Sequence, residues 1–107
     1  MVINGVNFPD DQIAEFCRRH GVQRLSLFGS ILRDPTAPEG HGFRTTSDVD
    51  LLVEFLPGQT KSLLDIGGML MELRRMLGRE VDLRTPEDLS RYFRQDVLRH
   101  ARPLYAA

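Results

Sequence analysis

The stretch "SDVDLLVEF", residues 47 to 55, constrains this chain more than any other. Leu51, Leu52 and Val53 run unbroken, so a strand here has apolar side chains on both faces and belongs inside a sheet covered on both sides. Yet the strand opens with two acids, Asp48 and Asp50. Side chains at i and i+2 share one side of a strand, so the carboxylates are forced together at the head of a buried element. Like charges that close repel unless a cation lies between them, and hard oxygen donors suit Mg²⁺ or Mn²⁺. The plain alternative is that Asp48 caps a turn and Asp50 is a solvated strand residue.

Other elements alternate around this strand. A helix is expected from a cap at Asp10 or Asp11 to about His20, with Ile13, Phe16 and Cys17 on one face and Gly21 ending it. "VQRLSLF", residues 22 to 28, reads as a strand, and residues 34 to 47, dense in Pro, Gly, Thr and Ser, read as loop. From about Gln59 to Leu77, Leu63, Ile66, Leu70, Leu73 and Leu77 form one helical stripe. Gly67 and Gly68 within it either cost helix stability or admit another backbone closely. "EVDLRT", residues 80 to 85, is a short strand. Thr85 and Pro86 open a further helix, with Glu87 and Asp88 in its first turn, and an amphipathic stretch follows to Pro103 and the tail "LYAA".

Asp82 stands between Val81 and Leu83, where an isolated acid is again out of place. If its strand neighbours that of Asp48 and Asp50, three carboxylates converge as required to hold two divalent ions roughly 3.5 to 4 Å apart for phosphoryl or nucleotidyl transfer. "LFGSILRD" supplies a second component. A strand that ends at Gly29 and turns into a short helix at Ser30 leaves free backbone N–H groups at that helix start, and the glycine lets a ligand approach the main chain closely, most simply a polyphosphate. Ser30 offers a hydroxyl and Arg33, one turn further, a charge.

Bulk properties bound these readings. The 107 residues are read as one domain, 1–107, with a single modest core. Fourteen basic against fifteen acidic residues leave a formal net charge of -1, so no strong direct nucleic-acid binding is expected. The Arg91, Arg94, Arg99 and Arg102 group reads as a solvated helix face diluted by Glu87, Asp88 and Asp96. Cys17, the one cysteine, is read as a small core residue. His20 and His100 are placed near helix ends. No basic leader and no run of about 18 apolar residues is present, so no membrane partner is expected and the cytoplasm is the default location.

Taken together, "LFGSILRD", "SDVDLLVEF" and "EVDLRTPEDL" resemble the minimal nucleotidyltransferase branch of the DNA polymerase β-type nucleotidyltransferase superfamily, over about Val22 to Tyr105. The resemblance implies an α/β (α+β) fold, a small mixed β-sheet backed by helices. It implies that Gly29 and Ser30 bind nucleotide phosphates, that Asp48 and Asp50 ligate the metal ions, and that Asp82 bridges a metal or takes the proton from the attacking hydroxyl. Arg33 matches the arginine after the turn, and Ser47 the serine before the carboxylate pair. Two features depart from the pattern: Asp34-Pro35 stands where the family commonly has glycine, and the interval from Ser30 to Asp48, carrying His41 and Arg44, is longer than usual.

Small proteins of this kind resemble antitoxins encoded beside a helical HEPN-type ribonuclease toxin. That resemblance implies transfer of AMP from ATP to a tyrosine hydroxyl of the toxin, with two Mg²⁺ ions (or Mn²⁺), ATP as substrate, and a hetero-oligomer with the toxin. The small size agrees, because a partner protein supplies its own acceptor and orientation. The alternatives are a non-catalytic antitoxin that neutralises its partner by binding, a small-molecule adenylyltransferase, a subunit of a larger nucleotidyltransferase, and a structural protein without a nucleotide site.

Overall fold

Two strands that reach the same sheet from opposite directions set the architecture. In the computed structural model, which describes residues 1–32 and 48–107, the chain begins with β1 (Val2–Ile3) and β2 (Val6–Asn7), followed by α1 (Asp10–Arg19) and β3 (Val22–Phe28). A single 3-10 turn, Gly29–Leu32, ends the first described segment. The second holds β4 (Val49–Phe55), α2 (Leu63–Leu77), β5 (Val81–Arg84), a 3-10 turn at Pro86–Asp88, α3 (Arg94–His100) and β6 (Arg102–Ala106). The main sheet has the order β5-β4-β3-β6, with β4 and β5 parallel and the other two pairings antiparallel. This is the mixed sheet backed by helices that the resemblance implies.

Strand β4 lies inside the sheet, between β5 and β3, as its unbroken apolar run requires. Leu51 and Val53 pack in the main core with Leu25 and Leu27 of β3, Phe16 and Ile13 of α1, and Met69 and Leu73 of α2. Leu52, one residue out of phase, is equally buried on the opposite face. A parallel partner for β4 needs a long crossover, and α2 is that crossover.

Several expectations are corrected at element ends. Asp10 and Asp11 lie inside the first turn of α1, where acids favour the positive helix terminus, and Pro9 takes the cap position without a side-chain bond. The long helix starts at Leu63, four residues later than Gln59. Ser62 caps it, its hydroxyl accepting from the Asp65 backbone N–H at 3.1 Å while the Asp65 carboxylate accepts from the Ser62 N–H at 2.9 Å. Leu63 therefore leaves the expected stripe and is 91% exposed. Among the described residues a Cβ added at Gly67 or Gly68 would meet nothing within 4 Å, so neither glycine serves a close approach of another described backbone segment. The helix expected after Thr85 is only the 3-10 turn Pro86–Asp88, closed by Thr85 and Asp88.

Two elements are additional to the expected set. Asn4 and Gly5 both have positive φ and form the tight turn of the β1–β2 hairpin. The tail pairs with β3 as edge strand β6, where Pro103 is tolerated. Among the described residues no helix is long and apolar enough to cross a membrane.

Helices α1 and α2 are tied through Glu72, whose carboxylate accepts from Arg19 and lies 3.0 Å from His20 Nε2. The Arg19 hydrogen bond, aided by His20, holds the Glu72 carboxyl below its ordinary value against the opposing cost of burial. A carboxyl depressed on folding stabilises the protein above the unfolded value, 4.5, and that contribution is lost as pH falls through the lower folded value. Urea unfolding between pH 3 and 6 should therefore show acid destabilisation that is shallower in Glu72→Gln. Burial also pushes the Cys17 thiol up to about 12, with Arg18 pulling weakly the other way. At pH 8 the native thiolate fraction is then on the order of one in ten thousand. A chromogenic disulfide reagent should leave the native protein unmodified and react stoichiometrically only in denaturant.

Candidate active site

Strand pairing builds the site. Phe28, the last residue of β3, is in register with Asp50 of β4, and Asp50 is in register with Asp82 of β5. One row across the sheet thus reads Asp82, Asp50, Phe28. The next row on the same face reads Arg84, Leu52, Ser26, Pro103. Asp48 is exposed and stands immediately before β4, one pleat from Asp50.

The turn after Phe28 is shaped to this row. Gly29 has φ +77, and a Cβ built there would overlap the Asp50 Oδ2. The backbone therefore passes directly against a carboxylate, which only glycine permits both by conformation and by volume. Substitution with alanine costs upwards of about 1 kcal/mol from the left-handed backbone alone. The following turn is a four-residue 3-10 element, too short to supply a helix macrodipole, so close main-chain approach is what Gly29 offers. Ser30 is half-buried beside it. Asn4 Nδ2 donates to the Ile31 carbonyl at 2.7 Å and ties this turn to the N-terminal hairpin, while Ile31 is buried in the core. Sequence reasoning passed over Asn4. A cavity of about 320 Å³ lies against the turn, lined by Phe28, Gly29, Leu32, Asp96, Val97 and His100.

Asp82 is bound by a cation of the chain itself. Arg84 Nε donates to Asp82 Oδ1 at 3.1 Å and Arg84 Nη2 to Oδ2 at 3.2 Å. The Asp82 hydrogen bonds and charge raise the Arg84 guanidinium above its ordinary value, and Asp88 and Asp50 add to the effect. Among the described residues no three His, Cys, Asp or Glu side chains stand as a metal-sized group. The candidate donors suit hard cations by chemistry: all are carboxylate oxygens, those of Asp50 and Asp82 come from residues in register on adjacent strands, and Asp82 already draws a positive group. Of the expected site residues, Gly29, Asp50 and Asp82 are brought together by the sheet, with Ser30 and Asp48 flanking. Arg33 and Ser47, along with Asp34, Pro35, His41 and Arg44, lie outside the described residues.

The family model described as a nucleotidyltransferase domain matches residues 10–104. A Methanocaldococcus jannaschii protein named "Putative protein adenylyltransferase" is 40% identical over 96 residues, covering 90% of this chain and 94% of its own. A solved structure described as a "putative minimal nucleotidyltransferase" superposes with a TM-score of 0.67 at 36% identity, covering 88% of this chain and 87% of the other. The fold is also that of a chain in the complex of a tri-AMPylated Shewanella oneidensis HEPN toxin with its MNT antitoxin. There the TM-score is 0.60 at 20% identity, over 92% of this chain and 70% of that one. The Gly-Ser turn, the paired aspartates and the third strand aspartate all fall within the matched span, and the chain accordingly belongs to the nucleotidyltransferase domain family, an enzyme of that class.

Proposed function

We propose that this chain is an antitoxin that transfers AMP from ATP to a tyrosine hydroxyl of a HEPN-type ribonuclease partner. The observation that carries the chemistry is the row Asp82, Asp50, Phe28 with Gly29 folded against the Asp50 carboxylate. This row puts acidic oxygens and an unshielded stretch of main chain within one side chain's reach of each other. The acceptor is argued from likeness: a relative at 40% identity bears the name of a protein adenylyltransferase, and the fold recurs in an antitoxin bound to an AMPylated HEPN toxin.

In this reading the triphosphate lies against the Gly29 main chain, which lets phosphate oxygens come close, and Ser30 donates its hydroxyl. Asp48, Asp50 and Asp82 would hold divalent ions, Mg²⁺ or Mn²⁺, and such ions would offset the negative charge of the triphosphate. The tyrosine oxygen bonds to the α-phosphorus, the bond to the β-phosphate oxygen breaks, and pyrophosphate leaves. The phenolic proton passes to a carboxylate of the row, and Asp82 is the candidate acceptor. Arg33 and Ser47 are assigned to the nucleotide on the strength of the motif. Modification of a tyrosine adds bulk and negative charge to the partner, which opposes RNA binding there.

The test is the intact mass of a HEPN-type partner after incubation with this chain, ATP and Mg²⁺. The native chain should add whole adenylyl units, and Asp48→Asn/Asp50→Asn should add none, a loss of activity of at least about a thousandfold for removal of the metal-binding charge. Gly29→Ala should reduce transfer strongly while the melting temperature shows how much of that loss is folding. Tight association of the two proteins with no added mass under any nucleotide would replace transfer by neutralisation through binding alone.

A further inference from the structure

Among the described residues Arg84 is tied to Asp82 of the carboxylate row, and its geometry is specific. Residues 82 and 84 are i and i+2 on β5, so both side chains stand on the same face, and the guanidinium fork lies over both Asp82 oxygens at once. A carboxylate engaged side-on in this way has its chelating edge covered. A cation approaching from any other direction meets the field of a neighbouring positive charge. Arg84 is also surrounded by acid: Asp88 and Asp50 act on it in addition to Asp82. With the guanidinium in place, the repulsion between Asp50 and Asp82 across the parallel pair is partly neutralised.

We propose that Arg84 is a built-in counter-cation for Asp82, which a divalent ion must displace before Asp82 becomes a ligand. Arg84 is thus a positioning residue that sets how tightly the row takes metal. It keeps the acidic row folded and neutralised in the metal-free protein, and it lowers intrinsic metal affinity so that the row fills fully only when another ligand contributes. A triphosphate is such a ligand, since it brings its own oxygens to the same ions. The pair is half-exposed, with side-chain exposures of 47% for Arg84 and 38% for Asp82, so the guanidinium has room to swing into solvent without opening the core. This inference rests on the reading of Asp82 as a metal ligand.

The experiment is calorimetric titration of the nucleotide-free chain with Mn²⁺ at fixed ionic strength, together with melting temperatures with and without Mn²⁺. Variants are Arg84→Gln, Arg84→Lys and Asp82→Asn. Displacement predicts that Arg84→Gln binds Mn²⁺ roughly threefold to fivefold more tightly than the native chain, the size of a half-exposed ion pair. Arg84→Lys should fall between, having charge without the fork. The metal-free melting temperature of Arg84→Gln should fall while its Mn²⁺-induced rise grows. A merely structural ion pair would lower the melting temperature and leave affinity unchanged, and an arginine that supports the bound ion would weaken affinity in Arg84→Gln; either result overturns displacement. If Asp82→Asn takes Mn²⁺ as well as the native chain does, the failure lies in the assignment of Asp82 as a ligand, and the displacement falls with it.

Discussion

The contact on which the rest depends is that of the Gly29 main chain against the Asp50 carboxylate. It exists because β3 ends at its last pairing with β4, Phe28 opposite Asp50, so the chain turns at the next residue directly over that carboxylate. A side chain at position 29 would collide with the carboxylate, and a left-handed backbone would strain it further. Everything that fixes the turn serves this contact: Ile31 is anchored in the core and Asn4 holds its carbonyl from the N-terminal hairpin.

The two faces of the sheet divide the work. Leu25, Leu27, Leu51 and Val53 face the helices and supply the apolar burial, at roughly 1.5 to 3 kcal/mol for each fully buried side chain. The other face carries the acids. Because α2 returns the chain to pair β5 in parallel with β4, Asp82 enters the row of Asp50, and Arg84 lands one row further on. Tertiary packing thus places charge that no single segment could place. The parallel pairing is also what sets both carboxylates in one row.

Much of this was legible in the chain. The β3 strand coincides with residues 22–28, and the acids before Leu51, Leu52 and Val53 mark an internal strand with a polar head. The Asn4-Gly5 hairpin was legible too and went unread, because its strands are two residues long and lack an apolar run. Strand β6 was hidden by Pro103, which argues against a strand unless an edge is known to be vacant, and that depends on the sheet order. Periodicity alone extends α2 backwards towards Gln59, whereas the Ser62–Asp65 capping box starts it at Leu63. The Arg84–Asp82 pair has an i, i+2 spacing that a strand reading supplies, but charge on a short strand ordinarily reads as solvated surface.

The most direct measurement is a crystal structure of the chain with Mn²⁺ and a non-hydrolysable ATP analogue, with anomalous scattering used to locate the metal. Mn²⁺ should lie at ligating distance from carboxylate oxygens of Asp48, Asp50 and Asp82, with phosphate density against the Gly29 main chain. Nucleotide bound away from Gly29, or Mn²⁺ ligated by other residues while the Asp82, Asp50 row stays empty, would contradict it.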